Sequence, residues 1–215
     1  MPLIFLSLDD TLLDRAAAFQ GWAKEFLRQI NAPDYDLDWL LSVDADGLAS
    51  HWDVAEALRA RYRLRASAID LMEAVRDGVL ERLQLDPLVA CALGIAGNAG
   101  WRPVVVTNGE AQLQEIKLRR TGLDRHVAGW VISEAVGVRK PNPRIFAIAA
   151  DHARMGLAGS WIVGDSPEAD IGGAAAIGLR SVWLHRGRSW YDQRYAPTLI
   201  ADGPIAALAA VMDNG

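Results

Sequence analysis

Short apolar runs ending in polar, turn-prone residues recur along the chain, and stretches with helical spacing separate them. Leu3–Leu8 is the first, apolar except at Ser7 and broken by Asp9 and Asp10. Pro103–Thr107, Trp161–Gly164 and Ser181–Leu184 repeat the pattern, and Gly129–Ser133 is a further candidate. Runs this short and this apolar predict strands buried on both faces. Between them, Pro87–Ala99, Ala111–Arg120, Pro143–Arg154 and Glu168–Ile177 carry helical patterns. Strands alternating with helices predict a Rossmann-like α/β core, a parallel sheet with helices on both faces. In such sheets ligands bind outside the carboxyl ends of the strands.

Ala16–Leu83 breaks the alternation. It carries helical patterns over Ala16–Ile30, Trp52–Tyr62 and Ser67–Leu83 and no convincing strand. Phe19, Trp22, Phe26 and Ile30 share one face of the first of these, which predicts core packing. Residues 16–83 therefore read as an all-helical insertion, leaving 1–15 and 84–215 as the core domain.

Composition narrows the function more than the fold. The chain has 215 residues and a formal net charge of −5, with no long basic run. Nucleic acid is excluded as a partner, because backbone phosphates are bound by clustered Lys and Arg. The lone cysteine, Cys91, rules out an internal disulfide and reads as a small core residue in LVACALGIA. The first residues lack the basic start of a secretory signal, and no apolar run reaches the ~18 residues of a membrane span. A cytoplasmic location is the expectation.

Four polar segments fall at the ends of the predicted strands. Ser7-Leu8-Asp9-Asp10-Thr11-Leu12 crowds carboxylates and hydroxyls against a buried edge, which is costly unless a metal or a proton transfer uses them. Val104-Val105-Val106-Thr107-Asn108-Gly109 puts a hydroxyl and an amide before a helix start, where backbone N–H groups attract anions; in isolation a Thr/Asn helix cap is the favoured reading. In Arg139-Lys140-Pro141-Asn142-Pro143 two prolines fix the backbone around a lysine. That lysine is either a point charge for a phosphate or a solvated residue before a helix. Trp161-Ile162-Val163-Gly164-Asp165-Ser166-Pro167-Glu168-Ala169-Asp170 brackets a strand-to-helix turn with two aspartates, hard oxygen donors of the type Mg²⁺ takes.

The order and spacing of these segments resemble the haloacid dehalogenase (HAD) superfamily, especially its phosphatase-like members. GDSPEADIGGAAAIG is similar to the family's fourth motif, and VTNG and GVRKPNPRIF to its second and third. The helical insertion resembles the family's cap. The resemblance implies a hydrolase of small phosphomonoesters, with a phosphorylated small molecule as ligand. Asp9 would be the general acid/base, with its backbone carbonyl on Mg²⁺. Thr107 and the amide of Asn108 would bind phosphoryl oxygens. Lys140 would neutralise the nucleophile and phosphate, Asp165 would ligate Mg²⁺, and Asp170 would support that site.

One departure outweighs these agreements. The family places a nucleophilic Asp two residues before the acid/base Asp, and Ser7 stands there. A Ser nucleophile would form an inert phosphate monoester and has no dedicated base. The missing carboxylate also predicts weak Mg²⁺ binding. The alternative is therefore a catalytically inactive member that binds a phosphorylated ligand or a protein partner. Dehalogenation needs the same Asp, and Lys140 with the Thr107-Asn108-Gly109 turn looks more phosphatase-like.

Overall fold

A computed structural model describes residues 1–215. The chain divides into two compact units, one formed by Met1–Leu13 with Leu85–Gly215 and one by Asp14–Gln84.

The first unit is built on six parallel strands: β1 (Leu3–Leu6), β2 (Arg102–Thr107), β3 (Trp130–Ile132), β4 (Trp161–Gly164), β5 (Arg180–Leu184) and β6 (Leu199–Ala201). Their order across the sheet is β3-β2-β1-β4-β5-β6. Parallel pairing on both sides buries every residue of β1 and β4, which is why those strands read as unbroken apolar runs. Side chains alternate between the two faces. On one face Leu3, Phe5, Val104, Val106, Val131 and Ile162 meet Ile145, Phe146 and Ala149 of a helix at Arg144–His152. Helices at Pro87–Asn98 and Pro204–Asp213 pack together and against the sheet. The remaining helix that bears on the site is Ala111–Arg120.

The structure differs from the sequence reading in several places. β6 and the helix Pro204–Asp213 were not foreseen; β6 is a three-residue edge strand with Ile200 exposed, too short and too mixed to give a period. The expected helix Glu168–Ile177 is instead a wide π-helical turn, Pro167–Gly172, running into a single turn, Gly173–Ala176. There the Asp170 carboxylate bends back to accept from the Ser166 amide, 3.0 Å away. Cys91 is exposed rather than part of the core. Its helix is apolar almost all round, so the sequence marks no inner face; Val89, Ala92, Leu93 and Ala96 are the buried residues.

The second unit is all helical: α1 (Arg15–Gln29), α2 (Asp36–Asp44), α3 (His51–Tyr62) and α4 (Ala68–Arg82). α3 and α4 start at capping boxes, Ser50 with Asp53 and Ser67 with Asp70. Phe19 and Trp22 are buried on α1, and Phe26 stacks on Trp22 with ring centroids 5.2 Å apart. α4 can approach that tryptophan because residue 78 is glycine: a Cβ there would lie 2.0 Å from the Trp22 ring. α2, the helix missed in sequence, is tied in by a buried ion pair between Arg15 and Asp44.

Candidate active site

All the sequence-predicted site residues lie in the first unit, at the carboxyl ends of β1, β2 and β4 and in the loop before Arg144–His152. Ser7 directly follows β1, and its amide continues the ladder by donating to the Val163 carbonyl at 3.0 Å. This pairing fixes the Ser7 side chain at the strand end. Lys140 reaches it from the neighbouring loop, with Nζ 3.0 Å from Ser7 Oγ and 2.6 Å from Asp170 Oδ1. Lys140 and Asp170 are both almost wholly buried, 4% and 1% exposed, so each is the other's required counter-charge.

The loop carrying Lys140 is clamped by Asn108. Its side-chain amide donates to the Lys140 carbonyl at 3.0 Å, and its side-chain oxygen accepts from the Lys140 amide at 2.8 Å. Both polar ends of the Asn108 side chain thus position the lysine, so only its backbone amide is left for the phosphate contact that the resemblance implies. Asp170 is brought close by Gly164: a Cβ at that position would stand 2.2 Å from the Asp170 carboxyl group. The apolar strand therefore ends in glycine for a reason of space, and the same contact sets where Lys140 comes to rest.

Asp9 points to the other side, toward the helix Ala111–Arg120. Lys117 Nζ lies 2.8 and 2.7 Å from its two oxygens, and Gln114 Nε2 donates to it at 2.9 Å. Gln114 also donates to Thr107 Oγ1 at 2.8 Å, linking the first and second motif segments. Both helix residues are buried. Sequence reasoning missed them; the available signal was a Gln and a Lys three apart, on one helix face, beside a strand end.

The third group surrounds Asp165. Thr11 Oγ1 donates to it at 3.3 Å. Burial pushes the Asp165 carboxyl up to about 7, aided by the neighbouring charges of Asp170 and Asp10, while Arg186 and Arg188 pull it down. Those two arginines, absent from the sequence reading, follow β5. Arg186 lies 3.3 Å from Asp10 and 3.6 Å from Asp165, and Arg188 lies 3.4 Å from Asp165.

The Mg²⁺ site implied by the resemblance takes the Asp9 backbone carbonyl and the Asp165 carboxylate, with Asp170 in support, and the carboxylates of all three stand with separate cations. Asp9 is held by Lys117, Asp170 by Lys140, and Asp165 stands beside two guanidiniums. No group of three or more His, Cys, Asp or Glu side chains is placed to hold a metal ion. The residues present do not fit a divalent cation well, and the carboxylate missing at position 7 leaves still less to hold one.

A parallel sheet whose strand ends gather a hydroxyl, a Thr, a buried Lys and several carboxylates is the architecture of the HAD-like hydrolases. The chain belongs to that family: residues 3–178 match the haloacid dehalogenase-like hydrolase family. It is 29% identical to a phosphoserine phosphatase of Thermus thermophilus, over 93% of this chain and 94% of that protein. It is also 29% identical to the pyrimidine 5'-nucleotidase YjjG of Escherichia coli, over 91% of each. Among solved structures, the fold matches the HAD-hydrolase YfnB from Bacillus subtilis bound to magnesium, with a TM-score of 0.79 and 22% identity over 99% of this chain and 98% of that one. No helix is long and apolar enough to cross a membrane.

Proposed function

We propose that this chain is a phosphatase-like HAD member that binds a small phosphomonoester at these strand ends and has lost efficient turnover. The observation that carries the reading is the hydrogen bond from Lys140 to Ser7 Oγ. Lys140, which on this reading neutralises a phosphoryl group, is rigidly held by Asp170 and Ser7. The side chain it faces is a hydroxyl instead of a carboxylate. Lys140 has three N–H donors and is engaged here by Ser7 and Asp170, which leaves one for a phosphoryl oxygen. Thr107 and the Asn108 amide stand at the adjacent strand end. The relatives named as phosphatase and nucleotidase act on phosphomonoesters, which favours that ligand class over a haloacid.

Turnover fails at two steps. Attack by Ser7 requires its proton to leave, and the group hydrogen-bonded to it is a donor already committed to Asp170. The phosphoserine so formed would also hydrolyse far more slowly than an acyl phosphate. A second, slower route has an observation in its favour. Lys117 and Gln114 both donate to Asp9, presenting it as a proton acceptor. Asp9 would then act as base for a water that attacks phosphorus directly. Such a water lacks the alignment of a fixed nucleophile, a loss of several kcal/mol and up to about 7–11 for a well-oriented group.

The test is a phosphomonoesterase panel on the chain, its Ser7→Asp form and its Asp9→Asn form. The reading expects ligand binding by all three and substantial turnover only by Ser7→Asp. Efficient turnover by the Ser7 chain, lost in Asp9→Asn, would replace it with direct water attack.

A further inference from the structure

Arg186 and Arg188 belong to none of the four motif segments, yet both guanidiniums lie at the acidic strand ends. One terminal nitrogen of Arg186 is 3.3 Å from Asp10 Oδ1 and the other is 3.6 Å from Asp165 Oδ2, so it bridges the two carboxylates. Arg188 Nη2 approaches the same Asp165 oxygen at 3.4 Å and donates to the Asp165 backbone carbonyl at 2.7 Å. Arg188 is further held by the His185 carbonyl at 3.2 Å and lies against the Trp183 ring, whose own N–H donates to the Asp165 carbonyl. It is a built feature of the β5 end.

Acidic and basic side chains meet at these strand ends. Asp9, Asp10, Asp165 and Asp170 face Lys117, Arg186, Arg188 and Lys140. Ser7 adds no charge to this group. An Asp at position 7 would add one negative charge, the condition a divalent cation answers. A divalent cation entering beside Asp165 would instead meet two guanidiniums already there. We infer that Arg186 and Arg188 supply the positive charge that a divalent cation would bring to this strand end, so that the site takes a phosphoryl anion without a metal. This rests on the phosphate reading above.

The experiment measures phosphate binding by the full chain, from the rise in Tm across an inorganic phosphate titration, in EDTA and in millimolar Mg²⁺. The expected result is the same apparent affinity in both, and no shift with Mg²⁺ alone. In the Arg186→Gln, Arg188→Gln double variant, affinity in EDTA should fall about tenfold or more and recover on adding Mg²⁺. A residue pair that merely braced the loop would lower Tm without creating that Mg²⁺ dependence. Stabilisation of the unaltered chain by phosphate only when Mg²⁺ is present overturns the inference and leaves the phosphate site standing. No phosphate effect in either condition overturns the phosphate site, and the inference with it. The comparison in the unaltered chain decides even where the variant does not fold.

Discussion

The site holds two kinds of ion pair, and they differ in what surrounds them. Asp170 and Lys140 are sealed in the core, with side chains 2% and 3% exposed. Asp165 and Arg188 stand at the rim, at 13% and 35%. In the sealed pair neither charge has water to fall back on, so geometry is fixed and the loss of one partner strands the other. At the rim, water reaches Arg188 while Asp165 stays largely buried, so the pair adjusts charge more than it holds structure. The sealed pair places Lys140 against Ser7; on the proposed function that lysine faces the phosphate and the rim pairs set the charge the ligand meets.

The largest effect should follow from opening the sealed pair. Lys140→Met leaves Asp170 buried without a counter-charge and should cost about 3–5 kcal/mol in denaturant unfolding, with loss of phosphate binding. A small cost would mean that water reaches Asp170. The next effect is electrostatic and has the opposite sign. Asp165 titrates near 7 in the fold, against the ordinary carboxylate value near 4 when unfolded. The unfolded chain releases that proton first, so this group lowers stability as pH rises from about 4 to about 7. Asp165→Asn should remove that decline, leaving the variant the more stable at neutral pH by roughly 2–4 kcal/mol. Parallel pH-stability curves for the two proteins would contradict it.

A smaller effect is expected from Gly164→Ala. The added methyl must push the Asp170 carboxyl out of its place, at a cost of about 1–3 kcal/mol. Phosphate binding should weaken more than the fold does, since Lys140 moves with its partner. The smallest belongs to the rim: Arg188→Gln should cost about 1 kcal/mol or less. A loss matching that of Lys140→Met would erase the distinction between the two kinds of pair.

The sheet was legible where strands are buried on both faces. β1, β2, β4 and β5 announced themselves as apolar runs, and the helical stretch between β1 and β2 did so by lacking one. α2 and β6 were hidden by brevity and mixed polarity. Cys91 was misplaced because its helix offers apolar residues on every side. Ser7, Asp9, Thr107, Lys140, Asp165 and Asp170 stood out in sequence because each abuts a strand end or a fixed turn, and the fold gathers them at those strand ends. Gln114, Lys117, Arg186 and Arg188 did not stand out. Their partners lie far away in sequence, Lys117 108 residues from Asp9, and a charged residue on a helix or after a strand reads as solvated until the contact is seen.

The central claim is that binding survives at this site while the residue at position 7 limits chemistry. Turnover of a panel of small phosphomonoesters by the chain and by its Ser7→Asp form, each with and without Mg²⁺, tests it most directly. The Ser7 chain should stay near background, and Ser7→Asp should exceed it by about 10²-fold or more, within the several kcal/mol that a positioned nucleophile supplies. Efficient turnover by the Ser7 chain, with no gain on Ser7→Asp, would contradict the account.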